Sequence, residues 1–551
     1  VLLNYTFFGP IGSFDELFAK MEAKEIDFWG VTDHGEVRPN PVRNAPDPSV
    51  LPRHIQSTWI AVRQRMLQSK VFAQYWREMP PITSYDDSVQ YHEARFTQFF
   101  ERRGFTSSVA FPESNYDSRN PSLDHADLLL LDGCPIVKRR AFFMDPVHME
   151  REAILGRRTL ETLERSGYPM ELIWRNLVRS TPARTLITNL SLVEVLDDHE
   201  NEVTDPPRIA VVAHLFYVDV VQEVMSRLAH IPVPYDLFVT TSDQAKASAI
   251  RALIGDRVPG SLEVRVVESN AGRDISAFLV ACKDVLAPGR YDLVCKIHSK
   301  RSPQDGYNRA MAFKDYLYDN LLHSRGYVSQ ILGLFEKHQS LGALFPPVVS
   351  LGYPTLGHGW FLNKPGAERL VQKLGISVKL DEHTPVAPLG SMFWARPEAF
   401  VPLTEPGFTW EDFRGDDHYG DGSLPHVLER MLGYVVMGSG YHVREVFSTW
   451  WAGVSFAFTE YKLQRISAVL PAHTQEQLDY VEVVRGAADN PFVWIRRRLG
   501  MRHPLLAHRV KPIYQAARGV YRGLRRVERR LASLTRPGQA PVTELVEIES
   551  K

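Results

Sequence analysis

Residues 262–302 constrain the fold more than any other stretch, because they spell strand, turn, helix, strand and basic loop in unbroken succession. Leu262, Val264 and Val266 alternate with Glu263 and Arg265, a period of two that predicts a half-buried strand. The turn Glu268-Ser269-Asn270-Ala271-Gly272-Arg273-Asp274 follows. Asn270 and Gly272 tolerate positive φ, and Asp274 is placed to cap a helix continued by Ile275, Phe278, Leu279 and Cys282. After Pro288-Gly289, residues 291–297 are apolar nearly throughout, the pattern of a strand buried on both faces. That strand runs out into Lys296-Ile297-His298-Ser299-Lys300-Arg301-Ser302. Two strands joined through a helix imply a parallel sheet, whose ligands sit beyond the carboxyl ends of the strands. Both polar clusters fall at such ends. Cations, hydroxyls and a glycine turn at one sheet edge suit a phosphate-bearing ligand such as a nucleotide-sugar. Taken singly, each cluster is also an ordinary capped turn or a solvated strand end.

The rest of the chain divides around this stretch. Residues 1–150 begin with a strand entering Gly9-Pro10, a helix over 14–24, and a short strand over 27–31 ending at Thr32-Asp33-His34-Gly35. A Pro/Asn-rich loop spans 39–52, a strand 54–63, and helices 66–79 and 88–100, the second carrying His92 and Glu93. Residues 145–195 are expected to be mainly helical, and the acidic, proline-ended run 196–207 is a linker where a boundary falls. A fresh α/β unit opens at 208 with a strand over 209–215, a helix over 218–228, and a strand over 235–241 that stops at Ser242-Asp243. Beyond residue 302 come a helix, a strand over 341–345, a strand over 390–396, and a helix opened by Asp421-Gly422-Ser423 that carries His426, Glu429 and Arg430 on one face. The expected units are therefore 1–150, a helical connector and linker over 151–207, an α/β domain over 208–450, a helical extension over 451–490, a basic helical tail over 491–536 and a disordered end over 537–551.

A chain of 551 residues suffices for two to four domains, and its 44% hydrophobic content fills ordinary cores. The net charge of -1 gives no whole-chain argument for nucleic acid, which is not an expected partner. Cys134, Cys282 and Cys295 are odd in number and two lie in apolar runs, so buried thiols in a reducing cytoplasm are expected, not a disulfide framework. No run of eighteen apolar residues marks a membrane span. Val1 opens inside an apolar run, so the chain is expected to be a fragment missing an N-terminal portion.

One internal comparison links the two halves. Ser57-Thr58-Trp59-Ile60-Ala61-Val62-Arg63 matches Ser391-Met392-Phe393-Trp394-Ala395-Arg396 with one extra residue, and Ser57 to His92 and Ser391 to His426 are both 35 positions apart. A glutamate follows each histidine on its helix, Glu93 and Glu429. On that comparison residues 1–150 are the back half of a domain of the type complete at 208–450.

Four stretches in order carry a family resemblance: Asn270-Ala271-Gly272-Arg273-Asp274-Ile275, Cys295 to Ser302, Gly390 to Arg396, and Asp421-Gly422-Ser423-Leu424-Pro425-His426-Val427-Leu428-Glu429-Arg430. With the weaker motifs at Asn4 to Pro10, Phe28 to His34 and His54 to Ser57, the chain resembles the rhamnan synthesis protein F family over residues 1–450. The resemblance implies a GT-A-like nucleotide-sugar fold, in tandem with the partial N-terminal copy. It implies a glycosyltransferase, rhamnosyltransferase-like, of cell-surface polysaccharide or O-antigen synthesis, with a nucleoside-diphosphate sugar donor of the dTDP-rhamnose kind and a lipid-linked glycan acceptor. Two departures stand out. Tyr5 replaces an acidic residue that family members tend to show after Asn. The Asp-x-Asp by which many GT-A enzymes hold a metal is replaced by Lys296-Ile297-His298-Ser299-Lys300, and hard divalent ions such as Mg or Mn prefer oxygen ligands, so no metal ligand is assigned.

Glycosyl transfer needs relief of leaving-group charge and, for inversion, a carboxylate that deprotonates the acceptor hydroxyl. Lys296, Lys300 and Arg301 are the candidates for the diphosphate. Asp421 is the first candidate base and Glu429 the second, with His426 beside them; a helix cap and an ion-paired helix face are their structural alternatives. Asp243 and Asp274 are candidates for base or ribose recognition, Asn270, Gly272 and Arg273 for the phosphate turn, and His298 for a phosphate contact or a structural hydrogen bond. The rival from another class is a catalytically inactive scaffold that binds glycan or nucleotide-sugar. An oxidoreductase on a Rossmann fold is disfavoured, because no Gly-x-Gly-x-x-Gly follows the strand at 209–215. In the tail, Ile513, Ala517, Val520, Leu524, Val527, Leu531 and Leu534 repeat by four and three opposite a face rich in arginine. Such a helix suits the anionic inner face of the plasma membrane, where each basic residue adds about 1 kcal/mol; a coiled-coil or bundle seam, or a nucleic-acid-binding arm, is its structural alternative.

Overall fold

The six residues of β9 (Ile209–His214) are all buried, and every second one faces the same side of a sheet covered on both faces. A computed structural model of the chain describes residues 1–42, 45, 47–299, 306–405, 407–414 and 420–488. The large sheet has the order β11-β10-β9-β12-β14-β13-β15-β8. Its remaining members are β8 (Val193–Leu196), β10 (Tyr235–Thr241), β11 (Leu262–Val266), β12 (Leu293–His298), β13 (Leu341–Phe345), β14 (Phe393–Ala395) and β15 (His442–Ser448). Ala210, Val212, Phe238 and Val294 pack into one core and Val211, Ala213, Leu237, Val239, Cys295 and Ile297 into the other. The alternation that a doubly buried strand hides in its sequence is thus restored in its packing.

Four strands, β11, β10, β9 and β12, run parallel. The chain lays β9, β10 and β11 outward in turn and then returns to place β12 on the other side of β9. The carboxyl ends of β9 and β12 therefore flank a topological switch point, where open α/β sheets leave a crevice. Register sets His214 opposite both His298 and Thr240 there.

A smaller sheet holds β1 (Leu2–Leu3), β3 (Phe28–His34), β4 (His54–Ile55), β5 (Trp59–Val62) and β6 (Ser107–Phe111), while β2 (Phe7–Phe8) pairs with β7 (Val137–Lys138). Trp29, Val31, Trp59 and Ala110 fill the core on one face; Phe28, Ile55, Ile60 and Val109 fill the other. Its pairings, β1 antiparallel to β5, β5 antiparallel to β3 and β3 parallel to β6, have the same directions and chain order as β12 with β14, β14 with β13 and β13 with β15.

Several elements depart from the sequence reading. Residues 193–196, expected to lie in or beside a helical connector, form β8 and extend the large sheet beside β15, with Leu196 buried, Glu194 buried against Arg444 at 2.6 Å and Val195 exposed. The run 196–207 is tied down: Asp198 accepts from Ser324 Oγ, Glu200 from Arg325 Nε at 2.7 Å, and Asn201 donates its N–H to Ser329 Oγ at 2.8 Å. The strand expected over 390–396 keeps only its last three apolar residues, since Gly390 (φ 93) and Ser391 (φ 51) turn instead. The helix expected at 66–79 breaks at Ser69, whose Oγ accepts the Phe72 N–H. Val1–Glu460 form one compact unit, and the described residues from Tyr461 onward belong to a second. The basic tail and the end of the chain lie outside the described residues. Among the described residues no helix is long and apolar enough to cross a membrane.

Candidate functional site

At the switch point the turn after β11 meets the end of β12 and the turn before β14. Gly272 takes φ 80, and a Cβ there would come 2.5 Å from the Phe413 ring, so the tight approach requires glycine. Arg273 follows with φ 52 and begins the helical turn Arg273–Ser276. Asp274 does not cap that turn. It reaches inward, where Oδ2 accepts Lys296 Nζ at 2.6 Å and also the Ser391 hydroxyl. Lys296 is 1% exposed and donates further to Ser391 O at 2.7 Å and Ser391 Oγ at 3.2 Å. Burial alone would raise the Asp274 pKa. The charges of His298 and Lys296 and the bonds from Lys296 and Ser391 outweigh it and hold the carboxyl far below the usual carboxylate range. Lys296, a candidate for the diphosphate on sequence, is bonded in the structure to a buried aspartate.

His298 donates Nε2–H to Gly390 O at 2.8 Å, and its own carbonyl accepts the Tyr318 hydroxyl at 3.0 Å. The Gly390 N–H is donated to Glu429 Oε1 at 2.7 Å. Glu429 Oε2 then accepts from Arg430 Nη1 at 2.9 Å. Arg430, 7% exposed in its side chain, also donates Nε to Gly359 O at 3.1 Å and Nη1 to His426 O at 3.0 Å, and lies 4.0 Å from Asp421 Oδ1. Asp421 is not the cap of the helix Leu424–Gly438, whose N-cap residue is Ser423. Its carboxylate accepts the Leu362 N–H at 2.7 Å and Asn363 Nδ2 at 2.6 Å, and its side chain remains 37% exposed. His426 Nδ1 faces Gly420 O at 2.9 Å and Ser423 Oγ at 3.1 Å.

A continuous network therefore runs from Asp274 through Lys296, the Gly390-Ser391 turn and Glu429 to Arg430 and Asp421. Asp243 stands apart from it. It caps the helix Gln244–Ile254 by accepting the Lys246 N–H at 2.8 Å. Asn270 lies against His214 with its Oδ1 buried and lacking a hydrogen bond of proper geometry. Lys300 and Arg301 lie outside the described residues. Among the described residues no group of three or more His, Cys, Asp and Glu is arranged to hold a metal ion.

The sequence reading missed His214, Ser299 and Phe216. His214 closes β9, is 6% exposed and has Nδ1 at 3.0 Å from Thr240 Oγ1. Burial, with smaller contributions from Lys296 and Lys246 against an opposing one from Asp274, drives its pKa down to about 4, so it is neutral at pH 7. Ser299 Oγ accepts the Phe216 N–H at 3.0 Å and ties the ends of β9 and β12 together. The signal available in sequence was a histidine ending each of two apolar strands. The comparison of Ser57 with Ser391 also has a geometric counterpart. Glu93 accepts the Ser57 N–H at 2.9 Å as Glu429 accepts that of Gly390, each just before the strand that pairs antiparallel with two neighbours. The histidines do not correspond, since His92 faces the Tyr75 hydroxyl and His426 faces Gly420 O.

Two proteins named uncharacterized protein WxcX, from two strains of Xanthomonas campestris pv. campestris, are each 30% identical to this chain over 244 residues. That segment is 44% of this chain and 33% of each relative, so the match spans about a third of the curated relatives' length. The family model described as rhamnan synthesis protein F matches residues 1–441. With four-fifths of its length covered by that model, and the motif-bearing turns at 270–274, 390–396 and 421–430 gathered around one network, the chain belongs to the rhamnan synthesis protein F family.

Proposed function

We propose that the protein is a glycosyltransferase, rhamnosyltransferase-like, that moves a sugar from a nucleoside-diphosphate donor to a lipid-linked glycan in cell-surface polysaccharide synthesis. Family membership supports the role in polysaccharide synthesis. The observation that carries the enzymatic reading is the topological switch point between β9 and β12, where His214 and His298 end the two strands, Asn270 lies against His214, and the network through Glu429 and Arg430 leads to a partly exposed carboxylate, Asp421. In this reading the acceptor oxygen attacks the anomeric carbon, its proton passes to Asp421, and the nucleoside diphosphate leaves with the electrons of the broken C–O bond. Lys300 and Arg301 meet the leaving diphosphate. Lys296 and Glu429 support the site from beneath, the first by fixing Asp274 and Ser391, the second by holding Gly390. The fold of 208–450 is then GT-A-like. The N-terminal sheet, with its repeated pairings and its Glu93 bond, is a partial second copy of the same half. The basic tail holds the enzyme to the anionic inner membrane face.

The test is turnover across a panel of nucleoside-diphosphate sugars, with and without EDTA, on wild type and Asp421→Asn. Selective use of a deoxythymidine-diphosphate sugar, insensitive to EDTA and lost in the variant, is expected. Binding of donor with no consumption, in the presence of a glycolipid acceptor, replaces this reading with a non-catalytic scaffold.

A further inference from the structure

The loop from Thr355 to Asn363 holds two apolar side chains out of the protein beside the Asp421 carboxylate. Phe361 is 48% exposed and Leu362 72% exposed. Everything beneath them is fixed. Trp360 is 3% exposed, stacks on Tyr434 with ring centroids 5.8 Å apart, and donates Nε1–H to Asp381 O at 2.9 Å. Asn363 is fully buried; it donates to Trp360 O at 3.0 Å and to Asp421, and accepts the Gly422 N–H at 3.0 Å. Gly359 donates its N–H to Thr384 Oγ1 at 3.3 Å while its carbonyl takes Arg430 Nε.

Between these anchors Phe361 adopts φ 48, a region that a bulky L-residue rarely enters. Such strain persists only where the surroundings over-determine it, and it concentrates at ligand-binding positions. Here its effect is to present an aromatic ring and a leucine to solvent one residue from the amide that Asp421 accepts. A sugar ring has the matching chemistry, with a face of C–H bonds and a rim of hydroxyls. The ring of Phe361 offers an apolar face, and Asp421 offers acceptor lone pairs beside it.

We infer that Phe361 and Leu362 form the acceptor subsite, with the C–H face of the glycan's terminal sugar on Phe361, its ring carbons against Leu362 and its attacking hydroxyl toward Asp421. The inference rests on the reading of Asp421 as the base. It makes this loop, and not the donor crevice, the determinant of which glycan end is extended.

The experiment uses the full chain and a rhamnose trisaccharide as probe, with binding followed by saturation-transfer NMR and calorimetry and transfer followed with a glycolipid acceptor. The variants are Phe361→Gly, Phe361→Trp and Leu362→Ser. Glycine relieves the positive φ, so Phe361→Gly keeps the backbone of the loop and removes the ring together with its contact to the Arg430 guanidinium, 5.5 Å from the ring centroid. It is expected to weaken trisaccharide binding and to raise the acceptor KM at least tenfold, with the donor KM within twofold; Phe361→Trp is expected to retain both. Trisaccharide affinity equal in wild type and Phe361→Gly, or no binding to wild type, overturns the subsite. So does loss of vesicle binding in Phe361→Gly with saccharide affinity unchanged, which assigns the loop to lipid. If no donor is turned over by any form, the glycosyltransferase reading fails, while the direct binding comparison still decides the subsite.

Discussion

Lys296 Nζ stands 2.6 Å from Asp274 Oδ2, joining the carboxyl end of β12 to the helical turn after β11 in a setting where the side chain of Lys296 is 1% and that of Asp274 14% exposed. A buried pair adds little net stability over well-packed apolar residues, but removing one partner leaves an uncompensated charge. Lys296→Met is therefore expected to lower unfolding free energy by about 3–5 kcal/mol at pH 7. Asp274→Leu added to it should recover a large part, measured by urea denaturation. The pH sign follows from the depressed Asp274 pKa: its stabilisation is complete above the unfolded value of about 3.9 and fades as pH falls below it. A double variant no more stable than Lys296→Met would show that the pair does not carry the cost.

His214 contributes a slope of the same sign, in a higher pH window, from a neighbouring position. Its folded pKa is lowered to about 4 by burial, whereas the unfolded chain protonates near 6.5. The unfolded state binds the extra proton between those values, so stability falls as pH drops from about 6.5 to about 4, by about 3 kcal/mol in all. His214→Gln is expected to flatten that window in pH-resolved denaturation curves. An anion brought into the crevice should raise the histidine's pKa and draw up protons on binding near pH 5.5; calorimetry of a nucleoside diphosphate in two buffers of different ionisation enthalpy reads this directly. Identical slopes for wild type and variant would assign the dependence elsewhere.

The residues singled out on sequence are gathered by the fold around one network, while several of the bonds they make there are not legible locally, for identifiable reasons. The alternation of Leu262, Val264 and Val266 and the apolar run before His298 specify β11 and β12 locally, and both strands form there. Nothing local specifies what Lys296 does. A lysine near a strand end usually reaches water, and only the arrival of Asp274 and Ser391, 22 positions before it and 95 after it, turns it inward. The apolar neighbours of Gly390 and Ser391 predict strand there, yet the bonds from His298 and to Glu429 select a turn. β8 escaped notice because its partner β15 lies some 250 residues away in the chain.

Gly390 and Glu429 allow a structural role to be separated from a chemical one. At φ 93 an alanine is strained, and a Cβ at Gly390 would come 2.5 Å from Leu317 Cδ1. Gly390→Ala is expected to cost more than about 1 kcal/mol and to loosen both bonds at the turn. Glu429→Ala should cost about 1–3 kcal/mol by orphaning the Gly390 N–H, and Glu429→Gln should restore most of it through its amide oxygen. If Asp421 is the base, Glu429→Gln keeps turnover within tenfold while Asp421→Asn lowers kcat by about 10²–10⁴. The reverse ranking of those two variants would move the base to Glu429.

The corresponding bond in the N-terminal sheet makes a separate prediction, because the cation beside Glu93 is a lysine, which can lose its proton, where Glu429 faces Arg430. Glu93 accepts the Ser57 N–H at 2.9 Å and supplies the negative charge opposing burial at Lys138, whose pKa burial nevertheless lowers. A lysine that is harder to protonate in the folded state than in the unfolded chain makes the fold gain stability as pH rises toward about 10.4. Glu93→Gln preserves the bond to Ser57 but removes the charge, so Lys138 should lose its proton at lower pH in the folded protein. The variant is then expected to be less stable than wild type at pH 7 and to close the gap between pH 8 and 10.5. Reductive methylation followed by NMR reports the Lys138 titration itself. Parallel stability curves for the two proteins across that range would mean that Glu93 serves the N-terminal sheet only through the amide of Ser57.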